Sequence, residues 1–514
     1  MKLFFVVSEM VPFAKTGGLA DVAGALPDAL MRRGIEVRVF IPCYRAVRKN
    51  SGELHSAVKG LKIPLGGEYL AADVLKTQTA EGVPVYALER EDLYERPNLY
   101  GASFGDYYDN LERFVFFSRA ALQTCTALTL EPDVIHCHDW QAGLIPLLLR
   151  ETSLSAKSVF TIHNLGYQGL FPAGRMPVTG LDTKRYFHPE GIEYWDRISL
   201  LKAGIVYADR VTTVSPTYAE EIQTPEFGMG MEGVMQARRA SLFGILNGAD
   251  YTRWDPETDT FLPACYGPSR MAGKAVCKKA LLQEAGLDSS LEQGPVIGLI
   301  SRLDHQKGID LVVQILDDLL SLDVCLVILG AGDKRIEEGL RAARERHGHR
   351  MALRIGFDEA LAHRIMAGAD ILLVPSRYEP CGLTQMYAMK YGTIPVARAT
   401  GGLEDTVSAY NPRTGAGNGF KFAEARRGAL LKAVRDAVAL FYRRGRWEGL
   451  RKAGMAENFS WDRSAGRYEA LFRDIMEQRG SRPRQGQENG PPRGGPAGRN
   501  GFGEKTAEVY KAKT

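Results

Sequence analysis

Among the 514 residues there is no long apolar run, no C-x-x-C pair and no Asp-x-Asp. A membrane span needs about 20 apolar residues. The run that opens the chain, Leu3-Phe4-Phe5-Val6-Val7, stops at Ser8-Glu9, which is also short of a signal peptide. Seven cysteines at 43, 125, 137, 265, 277, 325 and 381 are scattered and odd in number, so they read as reduced thiols in a cytoplasmic protein. The missing Asp-x-Asp removes a familiar carboxylate pair for a divalent ion. His136 and His138 alternate onto one strand face, but without a third ligand of compatible spacing they make a poor zinc site. No metal and no cofactor are therefore expected.

Net charge is also scarce once it is located. The net charge is +4, yet residues 478–514 alone carry eight Lys/Arg against three Glu, which leaves 57 basic and 58 acidic residues for the rest. The body has no basic bias to suit a nucleic acid. The tail, rich in Gly, Pro and Arg, buries too little apolar surface to fold and is expected to be disordered.

What remains is an ordinary globular composition, 45% hydrophobic and 25% charged. The length exceeds what one core supports. Apolar runs read as strands at 2–8, 36–41, 83–88, 133–137, 157–162 and 210–214, with helices at 19–33, 108–127 and 197–208. Pro27 should kink or break the first helix. Further strands fall at 295–300, 324–329, 351–355, 370–374 and 394–397, with helices at 308–321, 333–346, 358–368 and 382–391. The alternation predicts α/β architecture: two doubly wound, Rossmann-like domains, 1–246 and 247–460, facing across a cleft at the carboxyl ends of their strands. A last amphipathic helix covers 461–476.

Three strand-end turns stand out. Lys15-Thr16-Gly17-Gly18 precedes a helix, and backbone N–H groups, a helix start and a cation there suit a phosphate; simple strand–helix packing is the alternative. Arg302 and Lys307 lie five residues apart in Ser301-Arg302-Leu303-Asp304-His305-Gln306-Lys307-Gly308, as a forked donor and a point charge, or else as two surface cations. Glu379, in Arg377-Tyr378-Glu379-Pro380-Cys381-Gly382, reads as a site carboxylate or a helix cap. Two cationic turns and one acidic one imply a phosphorylated, hydroxyl-rich ligand.

These motifs, with Asp139-Trp140, Thr161-Ile162-His163-Asn164, Ile245-Leu246-Asn247-Gly248 and Thr400-Gly401-Gly402-Leu403, resemble in order the bacterial glycogen synthases, the ADP-glucose-dependent starch and glycogen synthase family. The resemblance covers residues 1 to 476 and implies a GT-B glycosyltransferase that extends an α-1,4-glucan acceptor from an ADP-glucose donor with retention. It implies that Lys15, Arg302 and Lys307 hold the donor diphosphate and that the catalytic residues Asp139, His163 and Glu379 surround the glucose. It assigns substrate contacts to Gly17, Gly18, Asn164, Asn247, Phe357, Cys381, Gly382, Leu383 and Thr384, with Phe357 flanking adenine and Cys381 a small packing group. It also implies that helix 461–476 packs back on the first domain. Related sucrose- and trehalose-phosphate-type enzymes carry a second Glu eight residues after the first, where this chain has Tyr387. A UDP-glucose enzyme of the same fold and an inactive glucan-binding protein remain the alternatives. Neither a nucleic acid nor a membrane is an expected partner.

Overall fold

The computed structural model describes residues 1–102 and 105–480. The tail expected to be disordered lies outside the described residues beyond 480. The chain divides into two compact units: Met1–Thr212 with Gly233–Leu242 and the residues from Ala465, and Thr213–Glu232 with Phe243–Ser464. The segment Thr213–Glu232, inside the 1–246 range expected from the sequence, groups with the second unit. There Ser215 Oγ donates to Asp405 (2.5 Å), and Glu221 accepts from Thr400 Oγ1 (2.9 Å) and Gly401 N (3.0 Å).

The sheet of the first unit runs, from an edge strand Leu242–Gly244, through Arg210–Thr213, Lys157–Ile162, Val134–His138, Lys2–Val6, Glu36–Pro42, Pro84–Glu89, Glu68–Gln78 and His55–Leu65. From Lys157–Ile162 to Pro84–Glu89 neighbouring strands are parallel. Leu3, Phe4, Phe5 and Val6 are all buried, as a strand covered on both faces requires. Strand Lys2–Val6 leads to Glu36–Pro42 on one side, and Val134–His138 joins on the other. This reversal opens a crevice at the carboxyl ends of Lys2–Val6 and Val134–His138, where the 9–18 turn and Asp139 lie.

The second unit repeats the plan with six parallel strands, Met351–Ile355, Cys325–Gly330, Val296–Ile300, Ile371–Val374, Ile394–Arg398 and Phe420–Phe422. Its reversal falls between Val296–Ile300 and Ile371–Val374. The turns 301–308 and 375–379 leave from those two carboxyl ends. Helix Ile309–Leu320 buries Ile309, Val312, Ile315, Leu316 and Leu319 against this sheet, a 3.6-residue stripe that fixes the orientation of the turn before it.

Three expectations need correction. The first sheet is mixed, because Glu68–Gln78 pairs antiparallel with both Pro84–Glu89 and His55–Leu65. Those two strands are half-exposed at the sheet edge, so their apolar pattern is weak; their turn glycines, Gly66 and Gly67 (φ 58° and 91°), were the readable signal. The first helix is continuous over Gly18–Arg32, so buried Pro27 does not break it. The helix expected from 382 begins at Thr384, because Gly382 has a left-handed φ of 71°.

Candidate functional site

In the first unit the chain leaves strand Lys2–Val6 and places Glu9, a buried carboxylate, under the 15–18 turn. Glu9 Oε2 accepts from Thr16 N (2.5 Å) and Gly17 N (3.2 Å), and both its oxygens accept from Thr16 Oγ1. Burial raises the Glu9 pKa, and these hydrogen bonds oppose the rise. Lys15 is exposed and paired with Asp21 of the following helix at 2.6 Å. A Cβ added at Gly17 or Gly18 would meet nothing within 4 Å, so both glycines face open space.

Asp139 sits at the end of Val134–His138 with φ 54°, a left-handed strain for a non-glycine residue. Its Oδ1 accepts from His163 N at 2.7 Å, and the backbone N–H of Asn164 donates to the same carboxylate. Burial nevertheless pushes the Asp139 pKa up to about 7, with Glu9 adding a smaller push in the same direction. Asn164 Oδ1 turns back to Gly166 N (2.9 Å) and shapes the loop. Asp139, His163 and Asn164 are therefore one cluster.

His163 Nε2 is bonded to Nδ1 of His138 at 2.9 Å. His136 Nε2 meets Thr161 Oγ1 at 2.6 Å, and Thr161 in turn meets Thr212 at 2.6 Å. Burial lowers the pKa of all three rings, that of His163 to about 3, so they are neutral. His136 and His138 thus serve a hydrogen-bonded aromatic stack with Phe5, Tyr468 and Phe472. Among the described residues no group of three or more His, Cys, Asp or Glu could hold a metal ion.

In the second unit Lys307 Nζ lies 2.6 Å from Glu379 Oε2, which also accepts from Ser376 Oγ at 2.9 Å. Two turns remote in sequence are laced into one surface. Lys307 N donates to Asp304 (2.9 Å), Arg377 N to Gln306 O (2.8 Å), and the Arg377 guanidinium grips both Asp310 oxygens (2.6 and 2.9 Å). Gly308 has φ 68°, and a Cβ there would lie 2.1 Å from Pro375 O. Arg302 is exposed on the same turn, bonded to Asp304 (3.1 Å) and Gln306 (3.2 Å).

The remaining candidates divide. Cys381 is buried, its thiol pushed up by burial and touched by the backbone N–H of Asn247, itself buried. Gly382, Leu383 and Thr384 are half-buried at the start of helix Thr384–Lys390. Gly401 packs so closely that a Cβ would lie 2.0 Å from Glu379 O, which explains the Thr400-Gly401-Gly402 run. Phe357 stands apart, 90% exposed, so core packing is not its role. Sequence reading missed Glu9, Ser376 and Asp304. Glu9 and Ser376 stand directly beyond apolar strands, and that position was the available signal.

Comparison with known proteins decides the family. The starch synthase catalytic domain family matches residues 2–237, and glycosyl transferases group 1 matches residues 288–446. The glycogen synthase of Anaeromyxobacter dehalogenans is 48% identical over 92% of this chain and 100% of its own length. That of Koribacter versatilis is 44% identical over 94% and 100%. The chain belongs to the glycogen synthase family. As a member of that family it is a glucosyltransferase of GT-B fold that extends a glucan.

The catalytic domain of starch synthase IV from Arabidopsis thaliana, solved bound to ADP and acarbose, superposes on this glycogen synthase family chain with a TM-score of 0.86. It shares 34% identity over 92% of this chain and 99% of that one. A sucrose-phosphate synthase from Thermosynechococcus elongatus shares the fold alone, at 17% identity and TM-score 0.58.

Proposed function

We propose that the enzyme transfers glucose from ADP-glucose to the non-reducing end of an α-1,4-glucan with retention of configuration, in the cytoplasm. The observation that carries this reading is the Lys307–Glu379 pair at the reversal point of the second sheet. Breaking the sugar–phosphate bond leaves negative charge on the departing diphosphate, and fixed cations stabilise it. Lys307, Arg302 and Lys15 supply that charge. Gly17 and Gly18, whose missing side chains would point into open space, let a phosphate approach the backbone closely.

Glu379, Asp139 and His163 take the glucose. Ser376 and Lys307 hold the Glu379 carboxylate in place, so it accepts sugar hydroxyls and balances positive charge developing at the reacting carbon. Asp139, titrating near neutrality, accepts or donates at a hydroxyl, and neutral His163 adds a second polar contact. Asn164, Asn247, Gly382, Leu383 and Thr384 line the sugar and phosphate contacts, while Cys381 fills space. Phe357, exposed, offers its ring to the adenine. The acceptor hydroxyl attacks on the face from which the diphosphate leaves, with the leaving group taking the proton.

A sucrose- or trehalose-phosphate-type reaction fits less well, because Tyr387 replaces the second Glu and is buried, stacked on Trp254 at 4.6 Å. The deciding experiment measures ADP and UDP release from the two nucleotide-glucoses with glycogen, for wild type and Lys307→Ala. Glycogen-dependent ADP release that collapses in the variant is expected. Release of UDP alone would overturn the donor, and an inverted product anomer would overturn same-face attack.

A further inference from the structure

A small sheet of the first unit, Leu170–Pro172, Arg197–Ser199 and Glu193–Tyr194, carries a feature the reaction above does not use. Tyr194 pairs with Arg197 across a two-residue turn, Trp195-Asp196, with φ of 50° and 57°. Two positive φ values define a type I′ hairpin, which favours Asn-Gly because bulky side chains are strained there. Here the first position holds tryptophan, and it is 79% exposed. Strain and exposure both oppose folding. The indole stands edge-to-face with the Tyr194 ring, at 6.4 Å and 79°.

The tip is nevertheless held firmly. Asp196 N donates to Glu193 Oε1 (2.7 Å), and buried Lys202 donates to the carbonyls of Glu193 and Pro189 (2.5 Å each). The Arg197 guanidinium donates to Leu170 O at 3.3 Å. The same sheet is joined to the Asp139 cluster, since Phe171 packs on Trp140 at 5.9 Å and Gly169 leaves room for the Trp140 ring. A rigid indole presented outward, flanked by Glu193, Asp196 and Arg197, has the chemistry of a sugar platform. The weakly positive axial C–H face of a glucose unit lies on the negative π face, and the flanking groups accept or donate to its hydroxyls. An aromatic ring with two torsions loses little entropy on binding.

We propose that Trp195 is a stacking platform for the α-glucan chain, adding affinity for the polymer rather than rate at its reacting end. This rests on the glucan-extending reading above. The test compares Trp195→Asn and Trp195→Tyr with wild type, using glycogen and maltotriose as acceptors. Asn suits the positive φ, so its Tm is expected to equal or exceed that of wild type while KM for glycogen rises at least fivefold. KM for ADP-glucose and turnover on maltotriose stay within twofold, and Tyr restores most of the glycogen affinity. An unchanged glycogen KM overturns the proposal, as does an equal loss on maltotriose or a lowered Tm in both variants. Wild type without glycogen-dependent ADP release would overturn the parent reading as well, and that result is visible before any variant is made.

Discussion

The two reversal points solve one problem in opposite ways. In the first unit the carboxylates of Glu9 and Asp139 are buried and bonded to backbone N–H groups, and burial drives both toward the neutral form. In the second unit Glu379 keeps a cation at 2.6 Å. The turns differ in the same sense. Gly17 and Gly18 border empty space, whereas Gly308 and Gly401 are wedged against carbonyl oxygens at 2.1 and 2.0 Å. The first turn is left open, and the second is wedged by the protein itself.

The sharpest way to break this contrast is to remove the Lys307–Glu379 pair. Glu379→Gln and Lys307→Ala should each lower kcat by about 10²- to 10³-fold. Losses that add in the double variant would mean the pair does not act as a unit. Asp139→Asn should lower kcat about 10²-fold. It should also change stability in a pH-dependent way. The Asp139 carboxyl titrates near 7 in the folded protein, against 3.8 for a free aspartate side chain. The folded state therefore binds the extra proton between those values, and stability is lost as pH rises through that window. The variant should gain Tm over wild type at pH 8 and not at pH 4, read by thermal unfolding at both.

The glycines give a third, structural comparison. Gly308→Ala should lower the unfolding midpoint by about 4 °C or more, while Gly17→Ala leaves it within about 1 °C and weakens donor binding in calorimetry. Equal Tm losses would erase the open-versus-fixed distinction. The smallest effect is expected from Ser376→Ala, which removes one hydrogen bond to a charged oxygen. A loss in kcat/KM of about 10- to 20-fold corresponds to the lower end of what such a bond is worth, about 1.5 kcal/mol.

Much of this was legible beforehand, for identifiable reasons. Strands buried on both faces, such as Leu3–Val6 and Ile371–Val374, are continuous apolar runs, so the turns after them could be placed. Lys15, Arg302, Lys307 and Glu379 could be put on strand-end turns because a charge after such a run is conspicuous. The edge hairpin 55–78 was not, since half-exposed strands dilute their own pattern. Nor was the Glu9 anchor, whose partners are backbone amides and carry no side-chain signature. The His138–His163 bond needed the register of Val134–His138 against Lys157–Ile162, which sets His138 opposite Thr161 and only the fold supplies.

The chain enters and leaves its first unit more than once, and the last return, from Ala465, brings Tyr468 and Phe472 onto His136. The gene therefore cannot be cut once to yield two working halves. A fragment ending near 246 would lack the aromatic cover over the histidine stack, so any split version has to supply residues 465–480 in trans.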